Sequence, residues 1–186
     1  MKKRQAILAK RLDQINKACP DIWKLNTVLY VGAHSKQFSF GEIFKKNKVK
    51  LDILEISEER CEEMRTLEWI NDVKCGSVED VKKIVDKSYE LVTWFGGPAV
   101  LAKDIIKPTL DKLFCVTEKI LCITTPWGKR TYTKDRLENL QRTEYKYDIQ
   151  WTPLFPDDFI KWEFEVSTIG EPNHQYNGNI FAWKSR

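Results

Sequence analysis

The residues best placed to do chemistry stand at the ends of two short apolar runs. The first run, Val28-Leu29-Tyr30-Val31, stops at Gly32. A glycine there lets the chain turn tightly and lets a ligand approach the backbone. The second run, Leu51-Asp52-Ile53-Leu54, stops at Glu55, about twenty residues further on. A carboxylate in that place is able to accept hydrogen bonds from both hydroxyls of a ribose. Charge-assisted bonds of this kind contribute roughly 1.5–3 kcal/mol each. The plainer alternatives are a simple strand-to-helix turn at Gly32 and a solvated Glu55 opening the next helix. The spacing favours the binding pair.

Aromatic residues form a second group. Trp94, Phe95 and Trp127 end two later apolar runs. Their rings could clamp a planar molecule and attract a cation through their faces, with core packing as the alternative. Trp151, Phe155 and Trp162 follow, and Thr152-Pro153-Leu154-Phe155-Pro156-Asp157-Asp158 between them reads as a rigid loop able to cover a site. Trp162 and Trp183 are read as packing within a hairpin. Asp157 and Asp158 are candidates for a base or an amine ligand, although Pro-Asp-Asp-Phe is also an ordinary helix start. The only histidines are His34 and His174. Neither has sulfur or carboxylate partners at zinc-site spacing, so no metal is expected. His34 falls in the loop after the first strand, either beside a ligand or as a surface residue.

The elements that must carry these residues alternate in type. Residues 2–18 have an amphipathic pattern with Ile7, Leu8, Leu12 and Ile15 on one stripe, and Pro20 stops that helix. Strands are expected over Thr27–Val31, Val49–Glu55, Val73–Cys75, Tyr89–Phe95 and Lys119–Thr125. Helices are expected around Phe40, Ile43 and Phe44, after a Ser57 cap, and from Ser77 with Asp80 as a capping pair. A long helix is expected from Pro98, and another from Thr133 through Leu137 and Leu140. Alternation of this kind implies a parallel sheet with helices on both faces. Phe159–Thr168 and Asn179–Trp183 break it, being two strand-like runs joined by Gly, Pro and Asn-Gly turn signals. The sheet is therefore expected to end in an antiparallel hairpin.

Bulk properties set the frame. The chain has 186 residues, enough for one domain with a real core. Its net charge of +4 is concentrated near the start, where seven basic residues face two acidic ones within residues 1–24. Such a segment attracts nucleic acid or an acidic surface, or is the solvated face of a helix. Five cysteines without a CxxC pattern read as free thiols in a reducing compartment, and no apolar run is long enough to span a membrane. A cytoplasmic protein is expected.

Taken together, the order of elements and four motifs resemble class I S-adenosylmethionine-dependent methyltransferases, over roughly residues 26–186. The motifs are VLYVGAHS, LDILEIS, Cys75-Gly76-Ser77-Val78 and Tyr89-Glu90-Leu91-Val92-Thr93-Trp94-Phe95-Gly96-Gly97-Pro98. Phe95-Gly96-Gly97-Pro98 and Thr125-Pro126-Trp127-Gly128 look like relatives of motifs in a small, poorly characterised subgroup of that family. The resemblance implies a Rossmann-like α/β fold, a mostly parallel seven-stranded sheet with a C-terminal antiparallel hairpin. Outside the resembling segment, the basic amphipathic helix within 1–24 is expected to pack on the cofactor-binding domain over 25–186. The resemblance implies S-adenosyl-L-methionine as cofactor, held by Tyr30, Gly32, Ala33, His34, Glu55, Ile56, Gly76, Ser77, Val78, Trp94 and Gly96. Trp94, Phe95 and Asp157 become the candidate catalytic residues. Departures from the family pattern are specific. Two glycines of the first motif and its preceding acid are absent, Ser77 stands where an Asp is common, and Gly96, Ala99 and Val100 replace the His, Glu and His of the subgroup. The implied function is methyl transfer to a small molecule or peptide. The alternatives are a non-catalytic binding module of the same fold, a nucleic-acid methyltransferase using the basic helix, and a nicotinamide-dependent reductase.

Overall fold

The computed structural model describes residues 2–33, 41–128, 152–170 and 178–186. The helix expected from Thr133, together with His34, Trp151 and His174, lies outside these residues. Seven strands form one sheet: β1 (Thr27–Val31), β2 (Lys50–Glu55), β3 (Asp72–Cys75), β4 (Tyr89–Phe95), β5 (Thr117–Pro126), β6 (Glu165–Ile169) and β7 (Asn179–Ser185). Their order across the sheet is β3-β2-β1-β4-β5-β7-β6. The first five run parallel, while β7 pairs antiparallel with both β5 and β6. The mostly parallel sheet and the closing hairpin are as expected.

Six helices accompany the sheet among the described residues: α1 (Lys2–Ala18), α2 (Gly41–Lys46), α3 (Glu58–Arg65), α4 (Val81–Ile84), α5 (Lys103–Cys115) and α6 (Pro156–Lys161). Strands buried on both faces are apolar over most of their length, which is why β1 and β4 read as largely apolar runs. Alternate residues feed two cores. Leu29, Val31, Val92, Trp94, Leu121 and Ile123 join one core with Ile106, Leu110, Leu113 of α5 and Phe159 of α6. Val28, Tyr30, Leu91, Cys122 and Phe181 join the other with Ile15 of α1, Phe44 of α2, and Cys61 and Met64 of α3. The chain goes from β1 to β2 on one side and later returns to place β4 on the other. The carboxyl ends of β1 and β4 therefore frame the crevice where such sheets take ligands.

Several expectations are corrected. Pro98 opens only a 3-10 turn, Pro98–Val100; Leu101 and Ala102 are extended, and α5 starts at Lys103. Phe159 is not in a strand. Pro156-Asp157-Asp158 starts α6, and Asp158 caps it by accepting from the Phe155 N–H at 3.0 Å. β6 begins only at Glu165. The Ser57 hydroxyl makes no cap bond to α3. Ser77 does cap, taking the Glu79 N–H at 3.2 Å, while Asp80 pairs with Lys83 instead of completing the box.

Candidate functional site

The carboxyl ends of β1 and β2 are tied together before any ligand is considered. Gly32 turns at φ +72°, a left-handed conformation that disfavours other residues. The turn aims its N–H at the Leu54 carbonyl, 2.8 Å away. One residue later β2 ends at Glu55, whose side chain is 3 % exposed. Its Oε1 accepts the Ser57 N–H at 3.0 Å, which ties the carboxylate to the residue that precedes α3. Arg60, in the first turn of α3, brings Nη1 to 3.8 Å from the same oxygen. Burial pushes the Glu55 carboxyl above its usual range; the Ser57 N–H, Arg60 and the Ile56 N–H oppose that rise only in part.

β3 supplies the next wall. Gly76 donates its N–H to the Glu55 carbonyl at 2.9 Å, which places Gly76, Ser77 and Val78 beside the end of β2. At the end of β4, the Trp94 side chain is core and wall at once, being 4 % exposed yet facing the crevice. Its indole lies where a Cβ on Gly97 would fall, so only glycine fits there with the ring in place. The Gly96 N–H then anchors the loop on the Thr124 carbonyl at 2.6 Å.

These pieces enclose a cavity of about 290 Å3. That is near the lower end of the roughly 300–1,000 Å3 typical of small-molecule sites. Of the residues singled out from the sequence, the cavity brings together Gly32, Glu55, Ile56, Gly76, Ser77, Val78, Trp94, Phe95 and Gly96. Three others do not line it. Tyr30 points into the opposite core, edge-on to Phe95 at 5.7 Å and to Phe44 at 6.5 Å, and burial pushes its hydroxyl well above its usual range. Ala33 is fully buried in that core. Asp157 is exposed in the first turn of α6. Trp162 packs on Phe159 at 5.4 Å and Trp183 stacks on Phe181 at 5.2 Å, as a packing role requires.

Val100, singled out where the subgroup carries a His, also lines the cavity, while sequence reasoning missed Arg60, Glu79 and Leu101, which line it too. Arg60 and Glu79 read as solvated helix residues, and Leu101 as the core face of a helix that starts later. Glu55, Arg60 and Glu79 are the ionisable groups of the lining, and the remainder is glycine, serine and apolar side chains. Among the described residues no cluster of His, Cys, Asp or Glu could hold a metal ion, and no helix is long and apolar enough to cross a membrane.

No family model matches the chain, and no curated protein matches it in sequence. Solved structures do match in shape. Magnesium protoporphyrin IX methyltransferase from Synechocystis PCC 6803, with bound S-adenosylhomocysteine, is 11 % identical, with 98 % of this chain and 82 % of that one covered at a TM-score of 0.63. The N-methyltransferase NodS from Bradyrhizobium japonicum WM9 is 8 % identical over 97 % of each chain, with a TM-score of 0.65. A methyltransferase from Archaeoglobus fulgidus, dependent on S-adenosylmethionine, is 12 % identical, covering 98 % of this chain and 94 % of that one at 0.63. With so little shared sequence the likeness is one of architecture, and in architecture the chain has the fold of the class I S-adenosylmethionine-dependent methyltransferases.

Proposed function

We propose that the chain binds S-adenosyl-L-methionine in the Gly32–Glu55 cavity and transfers its methyl group to a small molecule or peptide. The observation that carries this reading is the buried Glu55 carboxylate at the end of β2, lining the cavity that opens at the Gly32 turn. One Glu55 oxygen is engaged by the Ser57 N–H, and the carboxylate keeps further lone pairs for two ribose hydroxyls. Gly76, Ser77 and Val78 would flank the base, with the Ser77 hydroxyl free to donate while it accepts from Glu79. Trp94 and Phe95 would bound the reacting end, offering ring faces to a sulfonium and excluding water. The cofactor supplies an activated methyl group, so the protein must mainly position the acceptor in line and keep the site dry. Structures of the same fold that were solved with S-adenosylmethionine or its demethylated product support this choice of cofactor.

A second reading, a binding module without turnover, is favoured by the residues that follow β4. Gly96, Ala99 and Val100 offer neither imidazole nor carboxylate where the related subgroup carries both. Calorimetric titration with S-adenosylmethionine and S-adenosylhomocysteine tests the cofactor. Saturable binding of both is expected, and absence of heat at millimolar ligand would sink the proposal. Binding without methyl transfer to any small nucleophile or peptide in a library would leave the module reading standing.

A further inference from the structure

Behind the cavity wall two cysteines face each other across the α3–β3 layer. β3 is the edge strand, and its Val73 and Cys75 point to the same side, against the core that holds Cys61 and Met64 of α3. The Cys61 thiol donates to the Glu55 carbonyl at 3.3 Å, and the same carbonyl accepts the Gly76 N–H at 2.9 Å. Glu55 and Cys75 are partners in the β2–β3 register. Cys61 is thus held one residue from Cys75 by a shared acceptor, with both side chains in the same core. Arg65 fixes the layer by donating to the Val73 carbonyl at 3.4 Å. Their exposures differ: Cys61 is fully buried, and Cys75 is half-buried at the strand end.

We propose that Cys61 and Cys75 are a redox modification site, a dithiol that closes to a disulfide when the protein meets a peroxide. Cys75, the accessible member, attacks the peroxide as its thiolate. A sulfur–oxygen bond forms, the O–O bond breaks, and hydroxide leaves, giving a sulfenic acid at Cys75. The Cys61 sulfur then attacks the Cys75 sulfur, the new S–S bond forms, and the sulfenic oxygen departs as water with the Cys61 proton. Two thiols and one peroxide give one disulfide and two waters, so two electrons pass from sulfur to oxygen. Burial holds the Cys61 thiol up near 12, with Cys75 and Glu55 adding to the rise; the Cys75 contribution falls away once that sulfur carries a neutral sulfenic acid. The shared Glu55 carbonyl keeps Cys61 beside Cys75, so the second step is directed to one partner. Its neighbours connect it to the site, because Arg60 precedes Cys61 and Gly76 follows Cys75, and both line the cavity.

A second pair, Cys19 just after α1 and Cys122 on β5, shares one core and supplies an internal comparison, since both of its members are buried. The folded full-length protein is treated with hydrogen peroxide, alkylated, digested without reductant and mapped by mass spectrometry. The expected result is the loss of two of the five thiols, a peptide linking Cys61 to Cys75, and restoration by dithiothreitol. Cys61→Ser is expected to stop at a Cys75 sulfenic acid that dimedone traps. An unchanged thiol count, a linkage between Cys19 and Cys122 instead, or a disulfide whose yield rises with protein concentration would overturn the proposal. The readout involves no cofactor, so its failure is separate from failure of the methyltransferase reading.

Discussion

The Arg60 guanidinium sits 3.8 Å from the Glu55 carboxylate, with the two side chains 14 % and 3 % exposed, on the same wall of the cavity. The pair is looser than a bidentate contact, so the carboxylate is steadied by a positive charge without being sequestered by it. In the proposed binding mode Glu55 must be ionised to accept two ribose hydroxyls, and burial works against that state. Cofactor affinity is therefore expected to fall as pH drops through the raised Glu55 value. Arg60→Met should move that fall to higher pH, because one of the influences opposing the rise is gone. Titration of S-adenosylhomocysteine across pH checks it; an unmoved midpoint would mean that Arg60 does not tune the carboxylate.

Glu55 also links binding to stability. Its folded pKa lies above the ordinary 4.5 of the unfolded chain. Between the two values the folded state holds the extra proton, so stability falls as pH rises through that window. Glu55→Gln should remove this decline and leave the empty protein at least as stable at neutral pH. It should also weaken cofactor binding about tenfold or more, from the loss of charge-assisted bonds. Thermal melts across pH, beside calorimetry at neutral pH, separate the two effects.

Asp52, in the first half of β2, is the opposite case. Its carboxylate is almost wholly buried and accepts from the Tyr89 hydroxyl, the Asn71 amide and the Lys87 ammonium, each at 2.7 Å. Burial pushes its pKa up, but Lys87, Tyr89 and Asn71 together overcome that and hold it below the usual range. This stabilisation is present at neutral pH and is lost as pH falls from the ordinary 3.8 through the lowered folded value. Asp52→Ala leaves the Tyr89 hydroxyl buried without this acceptor and should cost about 1–3 kcal/mol. Chemical denaturation at neutral pH measures it, and a loss under 0.5 kcal/mol, about the scatter of surface substitutions, would contradict the network's role.

Glycines at the crevice are held for two different reasons, and alanine scanning distinguishes them. At Gly32 an added Cβ would sit 3.6 Å from the Trp94 Nε1, an ordinary contact, so Gly32→Ala should cost only the backbone strain of a left-handed residue, about 1–2 kcal/mol. At Gly97 the added carbon would overlap the Trp94 indole, so the ring must leave its seat. Gly97→Ala should therefore cost about 1–3 kcal/mol and change the fluorescence of Trp94. Trp94→Phe as a partner mutation should recover part of that loss, and no recovery would show that the overlap is relieved elsewhere.

Residues whose position follows from strand periodicity were legible in the sequence. Gly32 and Glu55 end apolar runs, and a strand carries its last residue to a fixed edge of the sheet. Arg60 and Glu79 were not legible, because whether a charged helix residue turns back to the cavity depends on how its element packs on the sheet. Tyr30 was misplaced by one step of alternation: successive strand residues face opposite cores, so the neighbour of Gly32's strand end points away from the crevice. Phe159 read as strand because Phe159 to Thr168 is rich in aromatic and β-branched residues. The Pro156-Asp157-Asp158 helix start overrode that local preference, with Phe159 buried as the anchor of α6.

The basic N-terminal helix carries a last prediction, because its inward face is structural. Ile15 is fully buried, and Gln14 is 4 % exposed, reaching Ser167 of β6 at 3.3 Å and Asn179 of β7 at 3.5 Å. α1 thus covers the sheet beside the antiparallel hairpin, and its removal would bare the core beneath it. Ile15→Ala should cost about 2–5 kcal/mol in denaturant unfolding. Truncation of 1–18 would for that reason confuse loss of a surface with loss of the fold. The nucleic-acid alternative is better tested on the outward face, where Lys10 is exposed and Lys17 has a side chain 76 % exposed, paired with Asp13. Lys10→Glu with Lys17→Glu should leave stability nearly unchanged, within about 0.5 kcal/mol for surface substitutions. If the acceptor is a small molecule or peptide, the double variant should also retain full cofactor affinity, and neither protein should show salt-sensitive binding to RNA or DNA. A salt-steep affinity that the two reversals abolish would reassign the acceptor to nucleic acid.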